Sequence, residues 1–140
     1  MVCFYLFLGQ WENGVKHGEG TYLYANKDTY AGWWMFGKKQ GNGTYTYSQT
    51  GMKLVGDWKD NSIVQGRWVF PNGTYYQGKF TNNKPNETGT WHYPNGNTLQ
   101  GTYKQTIVPN EDEENKTLNI KLDWQSNVGI SESAWKVNAH

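Results

Sequence analysis

Tyr30-Ala31-Gly32-Trp33-Trp34-Met35-Phe36-Gly37-Lys38-Lys39-Gln40-Gly41-Asn42-Gly43-Thr44-Tyr45 is the stretch on which the fold turns. It opens with aromatic-x-Gly-x-aromatic and closes with Gly-x-aromatic. Both patterns alternate with period two, the signature of a β-strand, so Tyr30, Gly32 and Trp34 share one face and Gly43 and Tyr45 share another such face. Turn-forming residues lie between the two patterns. The unit is therefore a β-hairpin with rings and glycines on the same side.

The unit recurs outward in both directions. The first pattern appears as Phe7-Leu8-Gly9-Gln10-Trp11 and Tyr76-Gln77-Gly78-Lys79-Phe80, with looser copies at Leu54-Val55-Gly56-Asp57-Trp58 and Leu99-Gln100-Gly101-Thr102-Tyr103. The second appears as Gly20-Thr21-Tyr22-Leu23-Tyr24, Gly66-Arg67-Trp68-Val69-Phe70 and Gly89-Thr90-Trp91-His92-Tyr93. Glycines 20, 43, 66 and 89 are 23 residues apart at every step. Self-similarity at such a period marks a repeat architecture. The expectation is an all-β protein, an elongated single-layer antiparallel meander of tandem β-hairpins, with a short irregular C-terminal tail. Pro71-Asn72-Gly73 and Pro94-Asn95-Gly96 read as tight hairpin turns, because Gly supplies the positive φ they need. Asn13-Gly14 and Phe36-Gly37 read as openings of a longer connection within each repeat.

Composition fits that architecture. The chain has 140 residues with 17 Gly, 8 Trp, 10 Tyr and 5 Phe, yet only 36% hydrophobic residues. Rings rather than aliphatic side chains must supply the buried apolar area. A ring lying over a mid-strand glycine shields the backbone there, and cross-strand ring pairs stabilise such a sheet. The net charge of +1 contains no concentrated basic face, which argues against a nucleic-acid partner. The single cysteine, Cys3, excludes a disulfide within the chain and fits a reducing compartment.

Tyr30-x-Gly32-x-Trp34, Gly37, Gly41-x-Gly43-x-Tyr45 resembles a MORN repeat nearly position for position, and the resemblance spans about residues 7–103. Its defining positions here are Gly9, Trp11, Gly20, Tyr22, Tyr30, Gly32, Trp34, Gly43, Tyr45, Gly56, Trp58, Gly66, Trp68, Tyr76, Gly78, Phe80, Gly89, Trp91, Gly101 and Tyr103. Later copies decay: Asn61 and Val64, then Asn83 and Glu87, stand where glycines are expected. A finer likeness rests on Tyr45-Thr46-Tyr47-Ser48-Gln49-Thr50-Gly51 followed by Val55-Gly56-x-Trp58. That order is similar to the arrays of radial spoke head proteins of cilia and flagella. It implies a structural subunit of the axoneme, in the cytoplasm and cytoskeleton, whose partners are other radial spoke head proteins or a second copy of itself. The resemblance also implies a less favoured role, a membrane lipid (phosphoinositide) module. Lys16, Lys38, Lys39, Lys59 and Lys84, read as lying in the within-repeat connections, would form its basic rim.

Most residues alternating away from the rings are polar. Leu23, Ala31, Trp33, Met35, Val55 and Val69 are not, and form the candidate partner-binding set, since contiguous exposed apolar area marks contact sites. The domain expectation is a repeat sheet over 1–104, an acidic linker over 105–116 containing Glu111-Asp112-Glu113-Glu114, and a segment over 117–140. In that last segment Thr117 to Trp124 alternates polar and apolar and could cap the open sheet edge. Trp135 is a further candidate anchor. No catalytic constellation, cofactor motif or metal-ligand spacing emerges from His17, His92, His140, Cys3 or the acidic residues. The expected class is a non-catalytic binding scaffold.

Overall fold

The computed structural model describes residues 6–108 and 119–127. Ten strands follow one another: β1 (Leu6–Glu12), β2 (Val15–Leu23), β3 (Thr29–Met35), β4 (Lys38–Thr46), β5 (Lys53–Lys59), β6 (Ser62–Val69), β7 (Tyr75–Thr81), β8 (Lys84–His92), β9 (Thr98–Val108) and β10 (Asn119–Ser126). They form one open antiparallel sheet in chain order, β1 to β10, with no helix among the described residues. The tandem-hairpin meander is thus the architecture. Residues 105–108, expected as the start of a linker, instead continue β9 and pair with β10. The acidic run and Trp135 lie outside the described residues, as do Cys3 and the C-terminal tail.

The two kinds of turn exchange the roles expected of them. Asn13-Gly14 and Phe36-Gly37 are not openings of longer loops; each pair is the whole connection, closing Glu12 onto Val15 and Met35 onto Lys38. All four within-repeat turns have two central residues at positive φ: Asn13 and Gly14 (51° and 80°), Phe36 and Gly37 (52° and 78°), Asp60 and Asn61 (48° and 73°), Asn82 and Asn83 (57° and 59°). This is the type I′ geometry, whose twist matches that of the flanking strands. The between-repeat turns at Pro71 and Pro94 are the longer ones. In both, and in the turn between β2 and β3, an Asn side chain accepts the backbone N–H two residues on: Asn72 from Thr74, Asn95 from Asn97 and Asn26 from Asp28.

Register aligns the glycines into a single row across nine strands. Gly9 stands opposite Gly20, Gly20 opposite Gly32, and the pairing continues through Gly43, Gly56, Gly66, Gly78 and Gly89 to Gly101. Ser126 on β10 ends the row. Rings lie over it. A side chain at Gly43 would run into the Tyr30 ring, one at Gly89 into Tyr76, one at Gly20 into Phe7 and one at Gly101 into Trp124. Tyr30 and Tyr76 are 0% exposed as a result.

The rings also meet one another across alternate strands. Neighbouring strands stand about 4.8 Å apart, so alternate strands are separated by roughly 10 Å. Yet Phe7 and Trp34 on β1 and β3 approach to 5.4 Å, Tyr30 and Trp58 on β3 and β5 to 5.3 Å, and Tyr76 and Tyr103 on β7 and β9 to 5.2 Å. The sheet is therefore folded toward its ring face, and that face is the core. No ring pair crosses from β5 to β6; buried Leu54 and Ile63 occupy that place.

The strands that follow each type I′ turn carry a bulge. Between Gly32 and Trp34 on β3, β4 inserts two extra residues, and Gly41 sits there at φ 72°. Gly18 does the same on β2 (φ 72°), but on β8 the residue is Glu87 (φ 64°). On β6 only one extra residue separates Ile63 from Gly66, and Val64 needs no left-handed backbone.

Gly43→Ala and Gly89→Ala should each cost about 3 kcal/mol or more in chemical denaturation, because the new methyl has no space that a buried ring can yield. Gly14→Ala, at positive φ in open surroundings, should cost only about 1–2 kcal/mol. Glu87→Gly should stabilise the protein by roughly 0.5–1 kcal/mol, since relief of the left-handed backbone outweighs the added chain entropy and the exposed ion pair to Lys79. Val64→Gly should destabilise it.

Candidate functional site

The ring face is a trough made of three linked clefts. The first, about 400 Å³, is lined by Lys16, Tyr22, Tyr24, Trp34, Gly37, Lys39 and Asn61. The second, about 200 Å³, shares Lys39 and adds Tyr45, Tyr47, Leu54, Trp58 and Asn83. The third, about 240 Å³, shares Tyr47, Leu54 and Asn83 and continues to Met52, Trp68, Lys84, Pro85 and Leu122. The trough thus runs across the strands, with two ring-seated lysines at one end and a more apolar lining, bordered by Asn83 and Lys84, at the other.

Lys16 and Lys39 define the cationic end. The Lys16 ammonium lies 5.0 Å from the Tyr22 ring, 5.4 Å from Trp34, 5.8 Å from Phe7 and 6.0 Å from Trp11. Lys39 repeats the arrangement one hairpin later, 5.3 Å from Tyr45 and Trp58, 5.6 Å from Tyr24 and 5.7 Å from Tyr30. Its ammonium also donates to the Tyr24 hydroxyl at 3.3 Å. Cation–π contacts of this kind contribute about 0.5–2 kcal/mol, more as water is excluded. Burial lowers the Lys39 pKa. Ile63 and Pro85 hold the corresponding register positions opposite Trp58 and Phe80, so the lysine seat exists only in the first two hairpins.

This placement corrects the expectation of a basic rim. Lys16 and Lys39 belong to β2 and β4, not to loops, and their side chains turn onto the rings. Only Lys38, Lys59 and Lys84 remain exposed beside the turns. His17 likewise lies within β2, paired with Glu12 at 3.1 Å. Parity offered the missing signal: Lys16 and Lys39 each stand four residues before a row glycine, Gly20 and Gly43, and so share its face.

Several polar atoms of the ring face are hydrogen-bonded, whereas the buried Tyr76 hydroxyl has no partner among the described residues. The indole N–H groups of Trp34 and Trp58 donate to the carbonyls of Gly20 and Gly43, and that of Trp91 to the Tyr103 hydroxyl. The Tyr30 hydroxyl donates to the Trp33 carbonyl. Buried Asp28 accepts from the Tyr45 hydroxyl at 2.7 Å, the Ser48 N–H at 2.9 Å and the Asn26 amide at 3.1 Å, tying two successive turns together. Burial pushes its pKa up, but these donors outweigh that and hold it below the ordinary value.

The candidate partner-binding residues fall on the opposite face. Ala31, Trp33 and Met35 form an exposed stripe along β3, while Leu23, Val55 and Val69 are half-buried. Register does not bring the six together. Leu23 and Val69 occupy one lateral row with Thr29, Thr46 and Lys53 between them, and Val55 is separated from Ala31 by Thr44. A second feature of that face escaped the sequence: His92 stacks on Tyr75 at 4.5 Å and 12°, with the Arg67 guanidinium 4.6 Å from the same ring. Among the described residues no group of three or more His, Cys, Asp or Glu could hold a metal ion.

The tyrosines of the trough predict an alkaline limit to the fold. Burial pushes Tyr24 up to about 12, aided by Tyr22 and Asp28, and Tyr76 up to about 12, aided by Tyr103. Tyr30 and Tyr45 are raised further, chiefly by burial, and Tyr47 and Tyr103 are raised in the same direction. Above pH 10 the unfolded chain releases these protons while the folded one retains them, so stability falls with rising pH. Lys39 acts in the opposite sense, but it is one group against six. Stability should hold below pH 10 and be lost between about 10 and about 12, with tyrosinate absorbance and loss of sheet circular dichroism rising together. Tyrosinate formation completed well before any unfolding would contradict this assignment.

Comparison with known families comes down on the same units. The family model described as the MORN repeat matches residues 7–29, 30–52 and 76–98. The gap, 53–75, is the hairpin in which Leu54 and Ile63 replace ring and lysine. No curated protein matches the chain.

Proposed function

We propose that this chain, which carries MORN repeats, is a non-catalytic protein-interaction scaffold, and that its setting is the radial spoke head of the ciliary axoneme. MORN-repeat proteins are generally non-catalytic modules that contact proteins or membranes. The observation that carries the scaffold reading is the trough: a ring-lined surface, running across the strands, left accessible because the sheet has a single layer. The spoke-head setting is supported by the order of residues from Tyr45 through Trp58, including the extra turn residue before Gly51. Partners in that setting are other spoke-head proteins or a second copy of the chain. Membrane lipid is disfavoured, because two of the five lysines that would meet a headgroup layer are instead seated on rings, and isolated lysines bind anionic bilayers weakly.

A tagged copy expressed in ciliated cells tests both levels. It should remain with axonemes after detergent extraction and co-purify with spoke-head subunits after salt release. Full solubilisation with the membrane fraction would remove the axonemal setting. Monodisperse recovery without any bound protein would remove the scaffold reading.

A further inference from the structure

Four Asn-Gly dipeptides occur in the chain: Asn13-Gly14, Asn42-Gly43, Asn72-Gly73 and Asn95-Gly96. Asn-Gly is the dipeptide most prone to close on itself, because glycine has no side chain to obstruct its own amide nitrogen. Closure brings that nitrogen against the Asn Cγ, so both residues must leave their folded geometry. Each site therefore reacts at a rate set by its local opening, and opening is harder where more hydrogen bonds must break.

The structure restrains three of the four. Gly43 lies within β4, paired with Gly32 on one side and Gly56 on the other, beneath the Tyr30 ring. The Gly73 N–H donates to the Phe70 carbonyl at 3.0 Å, and the Gly96 N–H to the Tyr93 carbonyl at 2.9 Å. The side chains of Asn72 and Asn95 are tied as well, each accepting the N–H two residues on. Asn13-Gly14 differs. Both residues are exposed, and among the described residues neither the Asn13 side chain nor the Gly14 N–H has a hydrogen-bond partner. A Cβ at Gly14 would meet nothing within 4 Å. The next two tight turns are fastened to the hairpin before them: the Gly37 N–H donates to the Lys16 carbonyl at 3.0 Å and the Asn61 N–H to the Lys39 carbonyl at 3.1 Å. The first turn leaves the edge strand β1 and has no described hairpin before it.

We propose that Asn13 is a self-modification site, converted to isoaspartate ahead of the other three, and that the conversion loosens β1 from the sheet. The Gly14 amide nitrogen gives its proton to solvent base and attacks the Asn13 Cγ. A C–N bond forms, the Cγ–Nδ2 bond breaks, and the departing nitrogen takes up a proton and leaves as ammonia. Water then opens the cyclic imide at either carbonyl, giving aspartate or isoaspartate. Isoaspartate runs the main chain through the former side chain and lengthens it by a carbon. The two-residue turn, with Asn13 at φ 51° and Gly14 at 80°, has no slack for that carbon, because its twist must match both strands. The Glu12–Val15 pair that it closes is lost first. β1 carries Phe7 and Trp11, two of the four rings around Lys16. Phe7 also meets Trp34 and lies over Gly20. Loosening β1 thus opens the first lysine seat and leaves the second, around Lys39, in place.

The full chain, aged in mildly alkaline buffer and sampled over time, tests this by peptide mapping in a mass spectrometer, with isoaspartate identified by a carboxyl methyltransferase specific for it. Asn13 should convert at least about tenfold faster than Asn42, Asn72 or Asn95. In concentrated urea, where the folded restraints are gone, the four rates should converge. Hydrogen exchange of the aged chain should quicken in β1 and β2 and stay unchanged in β7 and β8. Asn13→Gln should keep the pattern of the fresh chain throughout. Equal rates at the four sites of the folded chain, faster conversion at Asn72 or Asn95, or an undiminished preference for Asn13 in urea would overturn the selection of this site. Unchanged exchange of β1 after Asn13 has converted would overturn its loosening.

Discussion

Everything in this sheet depends on the lateral row of glycines that begins at Gly9 and ends at Gly101. Two glycines opposite each other leave a bare strip of backbone on one face, and a ring can lie flat on that strip only where no methyl intervenes. Tyr30 and Tyr76 do so completely, and Phe7 and Trp124 do so at the two ends of the array. Once the rings lie down, they reach those of alternate strands, and the sheet must fold toward them. A single-layer sheet thereby acquires a buried core without a second layer. The arrangement is demanding, because every strand must contribute its glycine at one register position. A one-residue slip would transfer every ring to the other face.

The third hairpin shows how the array tolerates loss of a ring. Leu54 replaces the first aromatic and Ile63 replaces the lysine, and both become buried. Gly56 and Gly66 still face each other, now in close contact with the neighbouring backbone and not with a ring. The ladder of ring contacts is interrupted there while the glycine row is not. Family likeness fades over the same hairpin, which separates two roles. The glycines keep the strands in register, whereas the rings above them can be exchanged for aliphatic bulk of suitable size.

The strand period, the 23-residue step and the face shared by rings and glycines could be read from the sequence because each is a local, repeated pattern. The decayed positions were partly legible too. Asn61 and Asn83 adopt the left-handed backbone that glycine would have supplied, as Asn does more readily than most residues. Glu87 was not foreseeable in that sense, since nothing in a glutamate announces positive φ. The tight turns are hard to read because Pro-Asn-Gly is the more conspicuous turn signal, while Asp60-Asn61 and Asn82-Asn83 carry the same tight geometry with no glycine at all. The same ambiguity conceals Lys16 and Lys39. Once a strand is mistaken for a loop, its alternation is no longer counted, and two residues of the ring face look like surface charge.

The lysines give the trough a polarity that the fold alone would not. A ladder built only from rings would offer the same surface at every repeat, and a partner could slide along it by one unit at little cost. Cations at two successive positions, followed by Ile63 and Pro85 at the next two, make the ends chemically different. Charge placed on rings in a partly buried trough is also costly to leave mispaired, because water cannot fully compensate there. The substitution pattern along a regular scaffold thus supplies what the regularity itself lacks, a unique alignment for whatever the scaffold holds.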